Sequence, residues 1–283
     1  MDKILGISEF IRENESRVFV VMDTETTGLS ATTADVIEVS AIKARFREDG
    51  KIEVLDSFDA YINPGYPLPP AIVAFNQREE TGIDDAFLAD KPGSTAVARA
   101  LLSFLRKEPS CDARSEWTLV GHNVAQFDTP FLEKLAAAGN AQMTHANIFD
   151  TLLYARSVIP FSGKGTHKLG TLHQNTPQRL FSENPQYHCS LGDCLATLDI
   201  LEDFCEKARK NVIKWQRPVI DPTSFRKYVA REAAQSHTTT GSQVFTSAKT
   251  QTPSSEEANL PPEKVPLRLR FASNPSKDPV NER

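Results

Sequence analysis

The first long apolar segment of the chain sets the strongest limit on its fold. Residues 18–22 read Val-Phe-Val-Val-Met, a short run rich in β-branched side chains. A continuous apolar run of this length is typical of a strand that is buried on both faces. Strand-like segments follow at residues 36–42 and 53–58, with the turn residues 47–50 between them. This order predicts a buried central strand followed by a β-hairpin.

From residue 95 onward, the pattern alternates between helices and a strand. Apolar residues at three- and four-residue spacing predict a first helix, three further helices follow, one of them bounded by Asp128 and the stop signal Gly139, and one further strand lies among them. The predicted helices cover residues 95–105, 128–138, 150–158 and 191–210, and the strand covers residues 118–120. A hairpin followed by strand–helix alternation is typical of an α/β domain. We therefore predict an α/β fold with a mixed central sheet flanked by helices.

The last predicted helix carries an aspartate on its apolar side. At about 100° per residue, Asp193 falls on the same arc as Thr197, Ile200 and Phe204. An aspartate on a buried stripe is costly unless it has a partner. The charged residues expected on the opposite side of this helix are Asp199, Glu202, Asp203 and Glu206.

Composition divides the chain into a folded region and a tail. The chain has 283 residues, of which 40% are hydrophobic, and this is enough for one well-buried domain. We place an N-terminal extension at residues 1–16, the main domain at 17–212 and a helical or irregular extension at 213–230. Ser, Thr, Gln, Pro and Glu dominate thereafter, which predicts a disordered tail at 231–283. In that tail, residues 265–271 fit either a docking peptide for a protein partner or an incidental apolar cluster.

Charge and cysteine content limit the functional classes. The formal net charge of −5 argues against a protein that coats duplex DNA with a basic face. It permits an enzyme that grips only a strand end, where bound cations can supply positive charge. Residues 1–17 lack the basic start and apolar stretch of a signal peptide, and the four cysteines contain no C-x-x-C pair. We therefore expect a cytoplasmic protein with reduced thiols.

Five polar residues in three short motifs are candidates for a catalytic site. Asp23 and Glu25 follow the first strand and share one of its faces, Asp128 begins a helix, and His188 and Asp193 lie at the start of the last helix. Each motif has a plain structural alternative. The first fits a polar strand end, the second a helix N-cap, and the third a helix-dipole aspartate with a surface histidine.

Taken together, these residues indicate phosphodiester chemistry. Four carboxylates suit Mg²⁺ or Mn²⁺ better than zinc. Two such ions about 3.5–4 Å apart can hold the attacking and leaving oxygens of a phosphoryl transfer, and a histidine can accept the proton of the attacking water. A zinc site built from His188, Cys189, Cys194 and Cys205 is an alternative, but the spacing of these residues matches no zinc-finger pattern.

The motifs resemble those of the DEDDh exonucleases, a DnaQ-like group in the ribonuclease H-like superfamily. The matching residues are Asp23-Thr24-Glu25-Thr26-Thr27-Gly28-Leu29, Gly121-His122-Asn123 with Phe127-Asp128, and His188 followed by Asp193. The resemblance covers residues 17–210. It implies a ribonuclease H-like three-layer fold and 3′–5′ exonuclease activity on single-stranded nucleic acid, with DNA favoured. It also implies the release of nucleoside 5′-monophosphates.

The resemblance also implies a role for each motif. Asp23 would bridge two Mg²⁺ or Mn²⁺ ions, Glu25 and Asp193 would complete one metal site, Asp128 would support the other, and His188 would be the general base. The residues expected to hold the substrate are Thr26, Thr27, Gly28, Leu29, His122 and Asn123. Similarity to the proofreading subunits of replicative polymerases implies a polymerase or other protein partner for the tail. The alternative is a catalytically silent nucleic-acid-binding or adaptor protein of the same fold.

Overall fold

The computed structural model describes residues 3–107, 117–143, 145 and 147–210. All of them fall within one of the two compact units of the chain. The extension predicted at 213–230, the tail at 231–283 and its docking peptide at 265–271 lie outside the described residues.

The described residues form one mixed sheet of six strands. In chain order the strands are β1 (Lys3–Ile4), β2 (Phe19–Thr26), β3 (Val36–Phe46), β4 (Ile52–Tyr61), β5 (Thr118–Gly121) and β6 (Asn147–Asp150). Across the sheet the order is β1-β6-β5-β2-β3-β4. The pairs β2–β3 and β3–β4 are antiparallel, and the remaining pairs are parallel. The predicted central strand and hairpin are confirmed.

Helices cover both faces of this sheet. In chain order they are α1 (Ile7–Asn14), α2 (Pro70–Arg78), α3 (Asp85–Leu88), α4 (Ser94–Arg106), α5 (Asp128–Ala138), α6 (Thr151–Val158), α7 (Leu169–Gln174) and α8 (Ser190–Arg209). In the described part of the chain, no helix is long and apolar enough to cross a bilayer.

Strand β2 contributes to the core on both sides, as its apolar run predicts. Phe19 and Val21 pack into a cluster with α1, α6 and α8, whereas Val20 and Met22 pack into a second cluster with α4 and α5. Side chains alternate across a strand, so one buried strand supplies both layers. The predicted α/β fold, with a mixed sheet between two helical layers, is confirmed.

The segment predicted as an N-terminal extension, residues 1–16, contributes to the same sheet and core from residue 3 onward. Strand β1 pairs with β6, Ile7 and Phe10 of α1 are fully buried, and the ring of Phe10 stacks on Phe149 of β6 at 4.7 Å. The sequence pattern did not indicate β1 or β6. Strands of two and four residues are too short to show a clear periodicity.

Helix α8 is buried on more sides than its pattern predicts. Ile200 and Phe204 are buried as expected, but Asp199 and Glu202 are buried too, at 0% and 4% exposure. The expectation that these two acids lie away from the core was therefore wrong. The sheet covers one side of the helix, and the Lys51 end of the β3–β4 hairpin and the segment at residues 180–182 cover the other, since both regions hydrogen-bond these acids.

Candidate active site

The carboxyl end of β2 directs two carboxylates toward the start of α8. Phe19 and Val21 face the α8 layer, and Asp23 and Glu25 continue the same alternation. Thr24, between them, faces the α5 layer and is 5% exposed. The alternation along the apolar strand thus sets the face of the sheet on which both acids lie.

Asp128, the first residue of α5, is held against β2. The backbone N–H and the hydroxyl of Thr24 both donate to Asp128 Oδ1, at 3.0 and 2.7 Å. The N-cap position itself belongs to Phe127, so the side chain of Asp128 does not serve as the simple helix cap that was its structural alternative. Asp128 is 2% exposed and faces the other carboxylates.

The start of α8 adds Asp193 and His188. The backbone N–H of His188 donates to the Asp193 carboxylate, which lowers the pKa of Asp193 against the larger effect of burial. Ligand atoms of Glu25, His188 and Asp193 lie within 4.8 Å of one another. His188 has a left-handed backbone with φ of 59°, and its imidazole is 46% exposed, with Nε2 3.8 Å from Glu79 Oε2.

The four carboxylates disfavour one another's ionised form. Burial, followed by the charges of Asp128, Asp193, Glu25 and Glu38, raises the pKa of Asp23 well above its usual value. Burial raises the pKa of Glu25 to about 8 and those of Asp128 and Asp193 to about 7. Every charged group that shifts Asp23 is acidic. A bound cation would therefore relieve this repulsion.

The donor set fits hard divalent cations. Among the described residues, the Oδ1 atom of Asp193 is buried and makes no hydrogen bond, and such a carboxylate oxygen requires another partner. The surrounding donors are carboxylate oxygens, which Mg²⁺ and Mn²⁺ prefer. Cys194 and Cys205 are free thiols buried in the core. No metal-binding group found in the described residues includes them, so the zinc alternative gains no support.

The turn after β2 is built around Thr27. The backbone N–H of Thr27 donates to the carbonyl of Asp35 at 2.8 Å, its hydroxyl accepts the backbone N–H of Asp35 at 2.9 Å, and the same hydroxyl lies 3.1 Å from the Tyr66 hydroxyl. Thr26 donates its hydroxyl to the Gly28 carbonyl at 2.7 Å. In this hydrogen-bonded turn, Leu29 is 86% exposed.

The second motif is fixed by a buried acid, Asp150, that is not among the candidate site residues. Asp150 ends β6 and accepts the backbone N–H groups of Asn123 and Ala125, each at 3.1 Å, as well as two N–H groups that open α6. Asn123 has a φ of 69°, so the fourfold use of Asp150 holds a backbone that a residue other than glycine rarely adopts. An acid directly after a short apolar run and before a helix was the available signal.

His122 also supports this region. Its Nε2–H donates to the carbonyl of His167 at 3.0 Å, and its Nδ1 lies 2.9 Å from the Thr151 hydroxyl. Burial lowers the pKa of His122 to about 4, so the ring is neutral. Both His122 and Asn123 line a cleft together with His188 and Asp193, whereas the turn residues 26–29 lie outside the lining of that cleft.

A second unassigned acid, Glu38, anchors the third motif to β3. Its Oε2 accepts the backbone N–H of Ser190 at 3.2 Å, and its Oε1 accepts the thiol of Cys189 at 3.4 Å. The Ser190 hydroxyl lies 2.7 Å from that of Ser40. These contacts fix the first residue of α8, and through it Asp193. Ser190 is fully buried against the sheet, and its side chain is small enough to fit there.

Comparison with known proteins gives the family. A family model described as an exonuclease of the RNase_T type matches residues 20–201. The chain is 32% identical over 207 residues to a PolC-type DNA polymerase III of Bacillus cereus, an alignment that covers 72% of this chain and 13% of the relative. It is 33% identical over 201 residues to the PolC-type enzyme of Bacillus subtilis, covering 68% of this chain and 12% of the relative. The chain thus spans about an eighth of the length of these relatives.

Solved structures agree on the fold. A crystal structure of E. coli exonuclease I in complex with a dT13 oligonucleotide matches 70% of this chain and 42% of its own, with a TM-score of 0.53 and 15% identity. A zinc-bound complex of the same enzyme with single-stranded DNA matches 69% of this chain and 41% of its own, with a TM-score of 0.50 and 19% identity. The resemblance to the DEDDh exonucleases is confirmed, and the chain belongs to the exonuclease family.

Proposed function

We propose that this protein removes nucleotides from the 3′ end of single-stranded DNA with the help of two divalent metal ions. The observation that carries the proposal is the convergence of four carboxylates from three separate elements. Ligand atoms of Glu25, Asp193 and His188 lie within 4.8 Å of one another. Asp128 is close enough to Asp23 for its charge to raise the pKa of Asp23. DNA is favoured over RNA because the similar relatives are DNA polymerases.

The carboxylates would hold the metal ions. Asp23, Glu25, Asp128 and Asp193 supply oxygen donors, and the buried Oδ1 of Asp193 makes no hydrogen bond within the described residues. Two bound Mg²⁺ or Mn²⁺ ions would acidify the attacking water and neutralise charge on the phosphate and the leaving oxygen. The hydrogen bonds from Thr24 and the His188 backbone would keep two of these acids in place before the ions bind.

His188 is proposed as the general base. Its imidazole is 46% exposed and forms a T-shaped contact with the Phe75 ring, with ring centroids 5.1 Å apart. It accepts a proton from the attacking water as the new phosphorus–oxygen bond forms. The bond between phosphorus and the 3′ oxygen of the penultimate nucleotide breaks, and that oxygen takes a proton from solvent. The products are a nucleoside 5′-monophosphate and a strand one nucleotide shorter.

The turn after β2 is proposed to hold the terminal nucleotide. Leu29 is 86% exposed, so its side chain can cover a base without displacing any part of the core. Thr26, Thr27 and Gly28 present a turn fixed by hydrogen bonds. Asn123 and His122 face the neighbouring cleft, on the path toward the rest of the strand.

Release of mononucleotides from end-labelled DNA tests the proposal. A single strand carrying a 3′-terminal label is incubated with Mg²⁺ or with EDTA, beside an otherwise identical strand whose last linkage is blocked by phosphorothioate. We expect the protein to release labelled nucleoside 5′-monophosphate from the unblocked strand in Mg²⁺ but not in EDTA. Asp23→Asn should abolish release, whereas Asp49→Asn, at an exposed hairpin turn, should not.

The outcome also separates the competing functions. Release that starts from the 5′ end would contradict the proposed direction. No metal-dependent release from DNA or RNA, in a protein that still binds single strands, would favour the catalytically silent adaptor.

A further inference from the structure

A cleft beside the carboxylates extends away from the site. Its volume is about 670 Å³. His188 and Asp193 contribute to its lining, and so do Arg156 of α6, Lys168 next to α7, and Phe161 in the loop between these helices. The cleft is therefore continuous with the proposed catalytic groups but is formed largely by a different part of the chain.

The lining of the cleft carries two basic and two acidic side chains, in a protein of net charge −5. Arg156 and Lys168 are the basic side chains that line it. The acids in the lining are Asp193, which belongs to the carboxylate site, and Glu79, which pairs with Arg78 at 2.8 Å and whose pKa is also lowered by the charges of His188 and Lys168. Away from the carboxylates, this surface complements the phosphates of a nucleic-acid strand.

Phe161 presents an aromatic ring at this surface. Its side chain is 74% exposed, and it is the one exposed phenylalanine among the described residues. The nearest paired ring is that of His167, with centroids 6.4 Å apart. An exposed aromatic ring beside basic side chains is the combination on which successive bases of a single strand stack.

Hydrogen bonds hold the loop that carries Phe161. The backbone N–H of Ser162 donates to the Thr166 hydroxyl at 3.1 Å, and His167 Nε2 donates to the Ile159 carbonyl at 2.9 Å. His122 of the second motif donates to the His167 carbonyl at 3.0 Å. The loop is thus closed on itself and tied to the site, so the ring is positioned before any ligand arrives.

We propose that this cleft binds the single strand upstream of its 3′ end, with a base stacked on Phe161 and a phosphate held by Lys168. This inference rests on the proposed exonuclease function and names the path of its substrate. It assigns to the loop between α6 and α7 the task of holding the strand while its last nucleotide is at the carboxylates.

Binding measured without turnover tests the stacking contact. Fluorescence anisotropy of a 5′-labelled 12-nucleotide single strand is recorded in EDTA for the wild type, Phe161→Ala, Phe161→Trp and the control Leu180→Ala. Leu180 is 55% exposed and does not line the cleft. We expect Phe161→Ala to raise Kd by about five- to a hundredfold, Phe161→Trp to restore binding, and Leu180→Ala to leave Kd unchanged.

Salt dependence tests the phosphate contact separately. Lys168→Gln should lower the slope of log Kd against log salt concentration by about 0.7, the value for one phosphate contact on a single strand. Arg99→Gln removes one charge from an exposed position on α4 and should leave the slope unchanged, as should Phe161→Ala.

Each result decides the proposal. Wild-type affinity for the strand in Phe161→Ala, or an equal slope change in Lys168→Gln and Arg99→Gln, would overturn it. A Phe161→Ala defect without rescue by tryptophan would also overturn the stacking contact. Because these measurements need no hydrolysis, a failure of the exonuclease function appears only in nucleotide release and is distinguishable.

Discussion

Two aspartates of α8, six positions apart in the sequence, have opposite surroundings. Asp199 is fully buried, and its oxygens accept backbone N–H groups from Leu180, Phe181 and Ser182 at 2.5–3.1 Å. It also accepts Nε2–H of the equally buried His173 at 3.1 Å. Asp193 accepts the backbone N–H of His188, but its Oδ1 makes no hydrogen bond within the described residues.

From this difference we infer that Asp199 has a structural role and that Asp193 has a functional one. Asp199 has a partner for each oxygen, so its charge stabilises the segment that precedes His188. His173 extends this network, since its Nδ1 accepts the hydroxyl of Tyr187 at 2.8 Å. Asp193 faces other carboxylates instead, which is costly for the folded chain and useful only where a cation binds. We expect mutation of Asp193 to affect activity and mutation of Asp199 to affect stability.

The largest expected effect is on turnover in Asp193→Asn. Loss of one metal-binding oxygen should lower kcat at least about a hundredfold, as loss of a single electrostatic contact to a transition state does. Urea unfolding without metal should show a stability equal to that of the wild type or higher, because one repulsive charge is removed. An active Asp193→Asn enzyme would remove the basis of the comparison.

The matched change, Asp199→Asn, should act on stability. An amide nitrogen cannot accept the N–H groups that converge on this position, so the buried network loses partners. We expect the free energy of unfolding to fall by about 3 kcal/mol, measured by urea unfolding, while the folded enzyme keeps a kcat close to that of the wild type. If Asp199→Asn were as stable as the wild type, the N–H groups of residues 180–182 would have to find other acceptors.

The stability of the metal-free protein should decrease as pH rises. Glu25 and Asp193 have folded-state pKa values raised to about 8 and about 7 from usual values of 4.5 and 3.8. The folded state therefore binds their protons more tightly, and the stability they contribute is present below pH 4 and lost as pH rises to 8. Thermal unfolding in EDTA across this range should show the loss, which Asp193→Asn should reduce.

Mg²⁺ should offset this loss at the upper end of the range. At about 100 times its Kd, a ligand of the folded state adds about 2.7 kcal/mol. A pH-independent stability in EDTA, or an equal effect of Mg²⁺ at pH 5 and pH 8, would argue against a cluster of mutually repelling carboxylates.

The smallest expected effect concerns Leu29. Its exposed side chain is proposed to cover the terminal base, so Leu29→Ala should raise KM about fivefold, equivalent to about 1 kcal/mol of apolar contact, with little change in kcat. Leu180→Ala removes a similar exposed side chain and serves as the control. Equal KM values in the two variants would show that Leu29 does not contact the base.

Much of the fold could be predicted from local sequence patterns. The apolar run of β2, the β3–β4 hairpin and helix α5 follow from periodicity and turn residues. The five candidate site residues were proposed from their motifs, because a carboxylate that ends a buried strand or begins a helix is visible in sequence. Their convergence was an expectation that only the folded chain could test.

The roles of Glu38 and Asp199 could not be predicted from the sequence, because their hydrogen-bond partners are distant in the chain. Glu38 contacts Ser190, 152 positions away, and Asp199 contacts residues 180–182 through their backbone, which carries no sequence signal. Helical periodicity predicted that Asp199 lies on the side away from the core, because that prediction uses the sequence of α8 alone. Burial by neighbouring segments depends on tertiary structure, and no single-helix pattern contains it.

The most direct test of the account is Mn²⁺ binding to the protein without nucleic acid, followed by the paramagnetic resonance signal of free Mn²⁺. The account predicts that the wild type and Asp199→Asn remove Mn²⁺ from solution equally. Asp193→Asn and Asp23→Asn should bind it much more weakly. Unchanged Mn²⁺ binding in Asp193→Asn and Asp23→Asn would contradict the claim that these carboxylates form a metal site.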